Sequence, residues 1–183
     1  MKLILCLISI ISSSSAVILN CQYFYEWWPL AGEKYSCVTT LSEVSTNQRL
    51  TAVTGNHLNS NNHSDVESIE FIDCTGSTFI PRNMMNFFPN LIGVRLVNCG
   101  ILILTGNELN EYGNLSLFAV EGTQLERIPG NFFSSTPLIS IVGFADNKLK
   151  HVGSKLFNDL TNLSWISFYN NECINQTATT QEE

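Results

Sequence analysis

Histidines, cysteines and the asparagines of glycosylation sequons are the side chains of this sequence whose types and spacing could do chemistry. His57, His63 and His151 stand apart, with no H-E-x-x-H, G-x-S-x-G, P-loop or C-x-x-C spacing around them. Neither a metal site nor a nucleophile with its base is expected from that pattern. The chain is therefore expected to be no enzyme and to need no cofactor. Asn62, Asn114, Asn162 and Asn175 each open an N-x-S/T sequon, and each is a candidate glycosylation site in a secreted chain. Of the six cysteines, Cys6 lies in the first apolar run, which leaves Cys21, Cys37, Cys74, Cys99 and Cys173. An odd number leaves one thiol without a partner inside the chain.

What those cysteines do depends on the compartment. Residues 1–16 have the make-up of a secretory signal peptide, with Lys2 for charge, an apolar run Leu3–Ile11, and small Ser14 and Ala16 near the cleavage point. That run is about half the length needed to span a bilayer. Residues 179–183 form a polar tail with no lipid-anchor signal. A secreted, extracellular protein with no membrane insertion follows, in surroundings where disulfides persist. The formal net charge of −7 becomes more negative by one when Lys2 is removed. This sign argues against nucleic acid and anionic membranes as partners, because both reward clusters of Lys and Arg. Lys148, Lys150 and Lys155 make the one local concentration of positive charge, read as a solvated loop.

The elements that position these residues are set by an apolar template, L-x-x-L-x-L-x-x-N-x-L. It fits Leu91, Val94, Leu96, Cys99 and Ile101, then Leu115, Phe118, Val120, Thr123 and Leu125. It fits again at Ile139, Val142, Phe144, Asn147 and Leu149, and at Leu163, Ile166, Phe168, Asn171 and Cys173, with a constant step of 24 residues. Val66, Ile69, Phe71 and Cys74 give an earlier copy. The alternation at positions 4 and 6 is the period-2 signature of a strand. No unit can bury its apolar side alone, so stacking must supply the core. Before the repeats, Cys21 to Cys37 enclose Tyr23, Phe24, Tyr25, Trp27, Trp28 and Tyr35. A disulfide between Cys21 and Cys37 would close this aromatic flap over the open first strand, contributing up to about 3 kcal/mol.

This spacing resembles that of extracellular leucine-rich repeat proteins, with the likeness covering about Leu50 to Ala178. The ending F-N-D-L-T-N-L-S-W-I-S-F-Y-N-N-E-C-I-N is similar to that of small secreted members from flies, midges and mosquitoes. The resemblance implies a short, right-handed, curved leucine-rich repeat solenoid of the α/β class, β-dominated, with a parallel concave sheet and a disulfide-closed N-terminal cap. The expected division is a signal peptide at 1–16, a cysteine-flanked cap at 17–49, repeats at 50–178 and a tail at 179–183.

On that scaffold Cys74 and Cys99 take the ninth position of adjacent units. Neighbouring strands lie about 4.8 Å apart, a span that a disulfide tolerates, although parallel Cβ vectors favour two buried thiols. Cys173 either fills a core position or links to a second chain as a disulfide-linked dimer. Outward positions place Glu70 beside Arg95, an ion pair worth little when exposed. They also expose Leu117, Ile141, Trp165 and Tyr169 around small Ala119, Gly143 and Ala145. An apolar shelf with aromatic anchors suits recognition of an extracellular protein or glycan. A binding module is the first expectation, with insect innate immunity or extracellular signalling as the setting that the resemblance implies. A structural or regulatory subunit assembling through Cys173 or the solenoid ends is the second.

Overall fold

The computed structural model describes residues 16–42, 44–45, 48–76, 79–173 and 175–179. The expected signal peptide, apart from Ala16, and the last residues of the tail lie outside them. Among the described residues, short segments, several of which alternate inward and outward side chains, form twelve strands. These are β1 (Val17–Asn20), β2 (Gln22–Trp28), β3 (Gly32–Thr39), β4 (Leu50–Thr54), β5 (Ser68–Ile72) and β6 (Gly93–Val97). They continue with β7 (Leu117–Glu121), β8 (Arg127–Ile128), β9 (Ile141–Gly143), β10 (His151–Val152), β11 (Trp165–Ser167) and β12 (Thr177–Thr179).

Eight strands form the main sheet, in the order β12-β11-β9-β7-β6-β5-β3-β2. From β3 to β11 neighbours run parallel, and the sequence period sets the register, so Ile69, Val94, Phe118, Val142 and Ile166 lie side by side. The two margins are antiparallel, β2 against β3 and β12 against β11. Two small parallel ladders, β1 with β4 and β8 with β10, lie apart from this sheet.

This corrects the expected fold. A leucine-rich repeat solenoid of the α/β class with a parallel concave sheet does not describe the molecule, because the sheet is mixed and the described residues contain no α-helix. The length of the connections explains the mixed pairing. Among the described residues the helical turns in the arcs are three residues long, His63–Asp65 and Met84–Asn86, and the arcs otherwise hold the short strands β4, β8 and β10. At the margins the connections are too short for the dozen or so residues of a parallel crossover, so the chain must double back. Pro29, Leu30 and Ala31 turn β2 into β3, with Leu30 at φ 57° and Gly32 at φ 72°. Strands from residues 17–49 join the rest of the chain directly, β3 pairing with β5 and β1 with β4.

One face of the sheet is buried against the arcs. Ile69, Phe71, Val94, Leu96, Phe118, Val120, Val142 and Phe144 pack with Phe88, Leu109, Phe132, Phe133 and Leu156 in one cluster. Where each strand leaves the sheet, the chain turns through the left-handed region at Asp73, Asn98, Gly122, Asp146 and Asn170. Gly, Asn and Asp are the residues that tolerate this conformation best. Asn147 then satisfies the turn it faces. Its Nδ2 donates to the carbonyls of Val120 at 2.7 Å and Phe144 at 3.0 Å, and its Oδ1 accepts the Thr123 N–H at 3.1 Å. Asn171 repeats the pattern one turn later, donating to Phe144 and accepting from Leu149.

Candidate functional site: the outer face of the sheet

The parallel register assembles two outward rows. Ser68, Gly93, Leu117, Ile141 and Trp165 form one, and Glu70, Arg95, Ala119, Gly143 and Ser167 the other. Part of this face is not free. Trp28, at the end of β2, is buried against Leu117, Ala119 and Ile141, with Ala31, Ile92 and Trp165 partly buried around them. Its Nε1 donates to Ser68 Oγ at 3.4 Å. Gly93 leaves room for the ring, since a Cβ there would lie 3.4 Å from it and 2.8 Å from Ser68 Cβ. Leu117 and Ile141, expected to be exposed, are therefore only 2% and 3% exposed. The covering residue comes from the far end of the sequence, brought back by the hairpin. Trp165 is half-buried and Tyr169 is 59% exposed, so the uncovered part of the face lies at the β11 end.

Charge gathers where the covered part meets the open part. Arg95 Nη1 donates to Glu70 Oε1 at 2.7 Å, and its guanidinium stacks 4.3 Å from the Trp28 ring centre. Its Nη2 donates to the Trp27 carbonyl at 3.3 Å, and its Nε lies 3.8 Å from Glu121 Oε2. The ion pair is not the exposed one expected, because the Glu70 side chain is only 8% exposed. Burial pushes the Glu70 carboxyl above the usual carboxylate range, against the pull of Arg95. Burial raises Glu121 as well, Arg95 opposes it, and Asp146 adds to the rise. Two carboxylates thus share one guanidinium. Beyond them Glu121 Oε1 reaches over Gly143, where a Cβ would come within 2.9 Å of it. A small-residue floor at Ala119, Gly143 and Ser167 lies between this carboxylate and the Trp165 row.

Cys21 and Cys37 are joined across the hairpin, with Cα atoms 5.1 Å apart, and Cys74 and Cys99 are joined at 4.5 Å. The second bridge departs from the expectation of buried thiols. Cys74 and Cys99 each follow a left-handed residue, Asp73 and Asn98, so the pleat that would keep their Cβ vectors parallel has already ended. Cys173 is a free, exposed thiol and does not fill a core position. Its N–H donates to the Leu149 carbonyl at 3.1 Å, which places it at the surface beside β10. Asn62, Asn114, Asn162 and Asn175 are all exposed, as glycan attachment requires. Asn62 also caps a 3₁₀ turn, and Asn175 Oδ1 accepts the Asn170 N–H at 2.8 Å.

The histidines are not all solitary. His57 and His63 meet with ring centroids 4.9 Å apart, next to Tyr23 and Tyr35 of the hairpin, while His151 is exposed on β10. No motif marks this cluster in the sequence. The one available signal is the alternation of aromatic residues at 23, 25 and 35, which implies one face of a hairpin in need of cover.

No family model matches the chain, and no curated protein matches it either, so the likeness to fly, midge and mosquito proteins has no sequence-level counterpart. Among solved structures, the chain is similar to one in a structure described as the Toll - Spatzle complex, a molecular hub in Drosophila development and innate immunity. The match covers 67% of this chain and 17% of that one, at 17% identity and a TM-score of 0.54. At that identity the likeness is one of fold, and this chain spans a small part of the length of the other. No helix among the described residues is long and apolar enough to cross a membrane.

Proposed function

We propose that this protein is an extracellular binding module, without catalytic activity of its own, that holds a protein partner on the uncovered end of the outer sheet face. The observation that carries the reading is the exposed Tyr169 and half-buried Trp165 at the open end, with Asp146 donating its N–H to the Tyr169 carbonyl at 2.9 Å and the Glu121 carboxylate across the small-residue floor. Aromatic anchors next to carboxylates that one guanidinium does not neutralise favour a partner segment bearing Lys or Arg. The acidic balance of the whole chain works in the same direction. Two intrachain disulfides support a place outside the cell. The fold likeness to a chain of a complex described as a hub in development and innate immunity supports an immune or signalling setting.

The test is capture of extracellular proteins by the immobilised chain at low and raised salt, repeated with Glu121→Gln. A basic partner is retained by wild type at low salt, released by salt, and weakened by the substitution. Capture that ignores both would remove this reading. Exposure of Cys173 favours a second reading, covalent assembly through that thiol. A band at twice the monomer mass on non-reducing electrophoresis, lost in Cys173→Ser, would support it over the first.

A further inference from the structure

On the side of the hairpin away from Trp28, the loop after β4 is pressed onto the aromatic side chains of β2 and β3. Gly55 makes the approach close: it sits at φ 125°, and a Cβ there would lie 2.1 Å from the Cys21 carbonyl oxygen. Two residues on, the His57 ring stacks on Tyr23 with centroids 3.8 Å apart. Its Nδ1 lies 3.1 Å from the Tyr35 hydroxyl, which also accepts the Leu58 N–H at 3.0 Å. A hydroxyl that already accepts an N–H has its own proton to give. With the imidazole proton on Nε2, Tyr35 donates to His57 Nδ1, and the chain Leu58 to Tyr35 to His57 is complete around a neutral ring. That Nε2 and the Tyr23 hydroxyl are both buried without a hydrogen-bond partner among the described residues.

The groups around His57 oppose a positive charge on it. Tyr23 faces it from β2 and Tyr35 from β3, while His63 meets it edge-on from the 3₁₀ turn and is itself seated against Phe88 at 5.6 Å. Asp65, on the same turn, favours the cation, but its Oδ2 already accepts the Asn62 N–H at 2.8 Å. Further out, Glu67 accepts the Tyr35 N–H at 3.3 Å and lies 4.0 Å from Lys34.

We propose that His57 and Tyr35 form an acid-released latch. When His57 takes up a proton, Nδ1 becomes a donor facing the Tyr35 hydroxyl, whose own proton then loses its acceptor. The loop 55–65 lifts from the hairpin and exposes the buried Tyr23 and Tyr35, while the Cys21–Cys37 disulfide and the β3–β5 pairing hold the hairpin in place. Burial, followed by His63, keeps His57 below the usual histidine value, with Asp65 a smaller opposing influence. The neutral form is the one the closed loop favours. The contribution of the latch is thus complete above about pH 6.5, the ordinary histidine value, and is lost as pH falls below it.

Amide hydrogen exchange on the secreted protein, at about pH 7.5 and about pH 5.5 and corrected for intrinsic rates, tests this. Leu58 and the rest of 55–65 should exchange several-fold faster at the lower pH, with the Val94 amide in β6 unchanged. His57→Gln should abolish the difference, and His63→Gln should reduce it. His57→Phe, which keeps the stack but cannot titrate, serves if the glutamine variant fails to fold, and should likewise show no difference. Equal protection of Leu58 at both pH values, or a response that persists in a folded His57 variant, would overturn the latch.

Discussion

The outer face of the sheet is finished in opposite ways at its two ends. At one end a seven-residue strand, β2, returns against β3, a disulfide joins the pair, and Trp28 closes over Leu117 and Ile141. At the other end β12 has three residues, all exposed, and Cys173 stands free nearby. The same repeating rows run beneath both. A row of apolar residues becomes a binding surface or a second small core according to what the chain ends lay across it, and the period of the repeat does not decide which.

That contrast can be broken at its closed end first. Trp28→Ala should cost about 3–5 kcal/mol in urea unfolding, the usual range for removing a buried large aromatic, and should increase binding of a hydrophobic dye as Leu117 and Ile141 are uncovered. Unchanged stability would mean that the hairpin tip does not rest on the face. Replacing both Cys21 and Cys37 by Ser should cost about 3 kcal/mol for a loop of this length, read from the same curves under identical conditions.

The boundary between the two ends can be sharpened by pH. Burial raises Glu70, so its charged form weakens the folded state relative to the unfolded one. This penalty is absent below the ordinary glutamate value and grows as pH rises through the raised folded value. The stability of wild type relative to Glu70→Gln should therefore increase as pH is lowered from neutral. A relative decrease would mean that Arg95 outweighs burial. The smallest effect belongs to the open end, where Tyr169→Ala should change stability by no more than about 0.5 kcal/mol.

The repeat makes the register of β5, β6, β7, β9 and β11 legible, because steps of 25 residues from β5 to β6 and 24 thereafter set equivalent side chains in neighbouring strands. The closing of the aromatic segment by Cys21 and Cys37 is legible from the same sequence, and so is the adjacency of Glu70 and Arg95. The landing of Trp28 on Leu117 is not. It depends on the Pro29–Gly32 reversal, and no periodicity relates residues so far apart. The antiparallel margins follow from the same short connections, which the template does not describe. The pairing of His57 with Tyr35 escapes for a further reason: it joins a loop to a strand through one hydroxyl, outside any repeating unit.

A partner held at the open end must depend on Trp165 and Tyr169. This dependence is tested most directly by comparing capture from an extracellular mixture by wild type, by Trp165→Ala/Tyr169→Ala, and by Leu102→Ser/Ile103→Ser, which alters a separate exposed apolar pair. Proteins retained by wild type should be lost from the first variant and kept by the second. Equal retention by wild type and the Trp165/Tyr169 variant would contradict it.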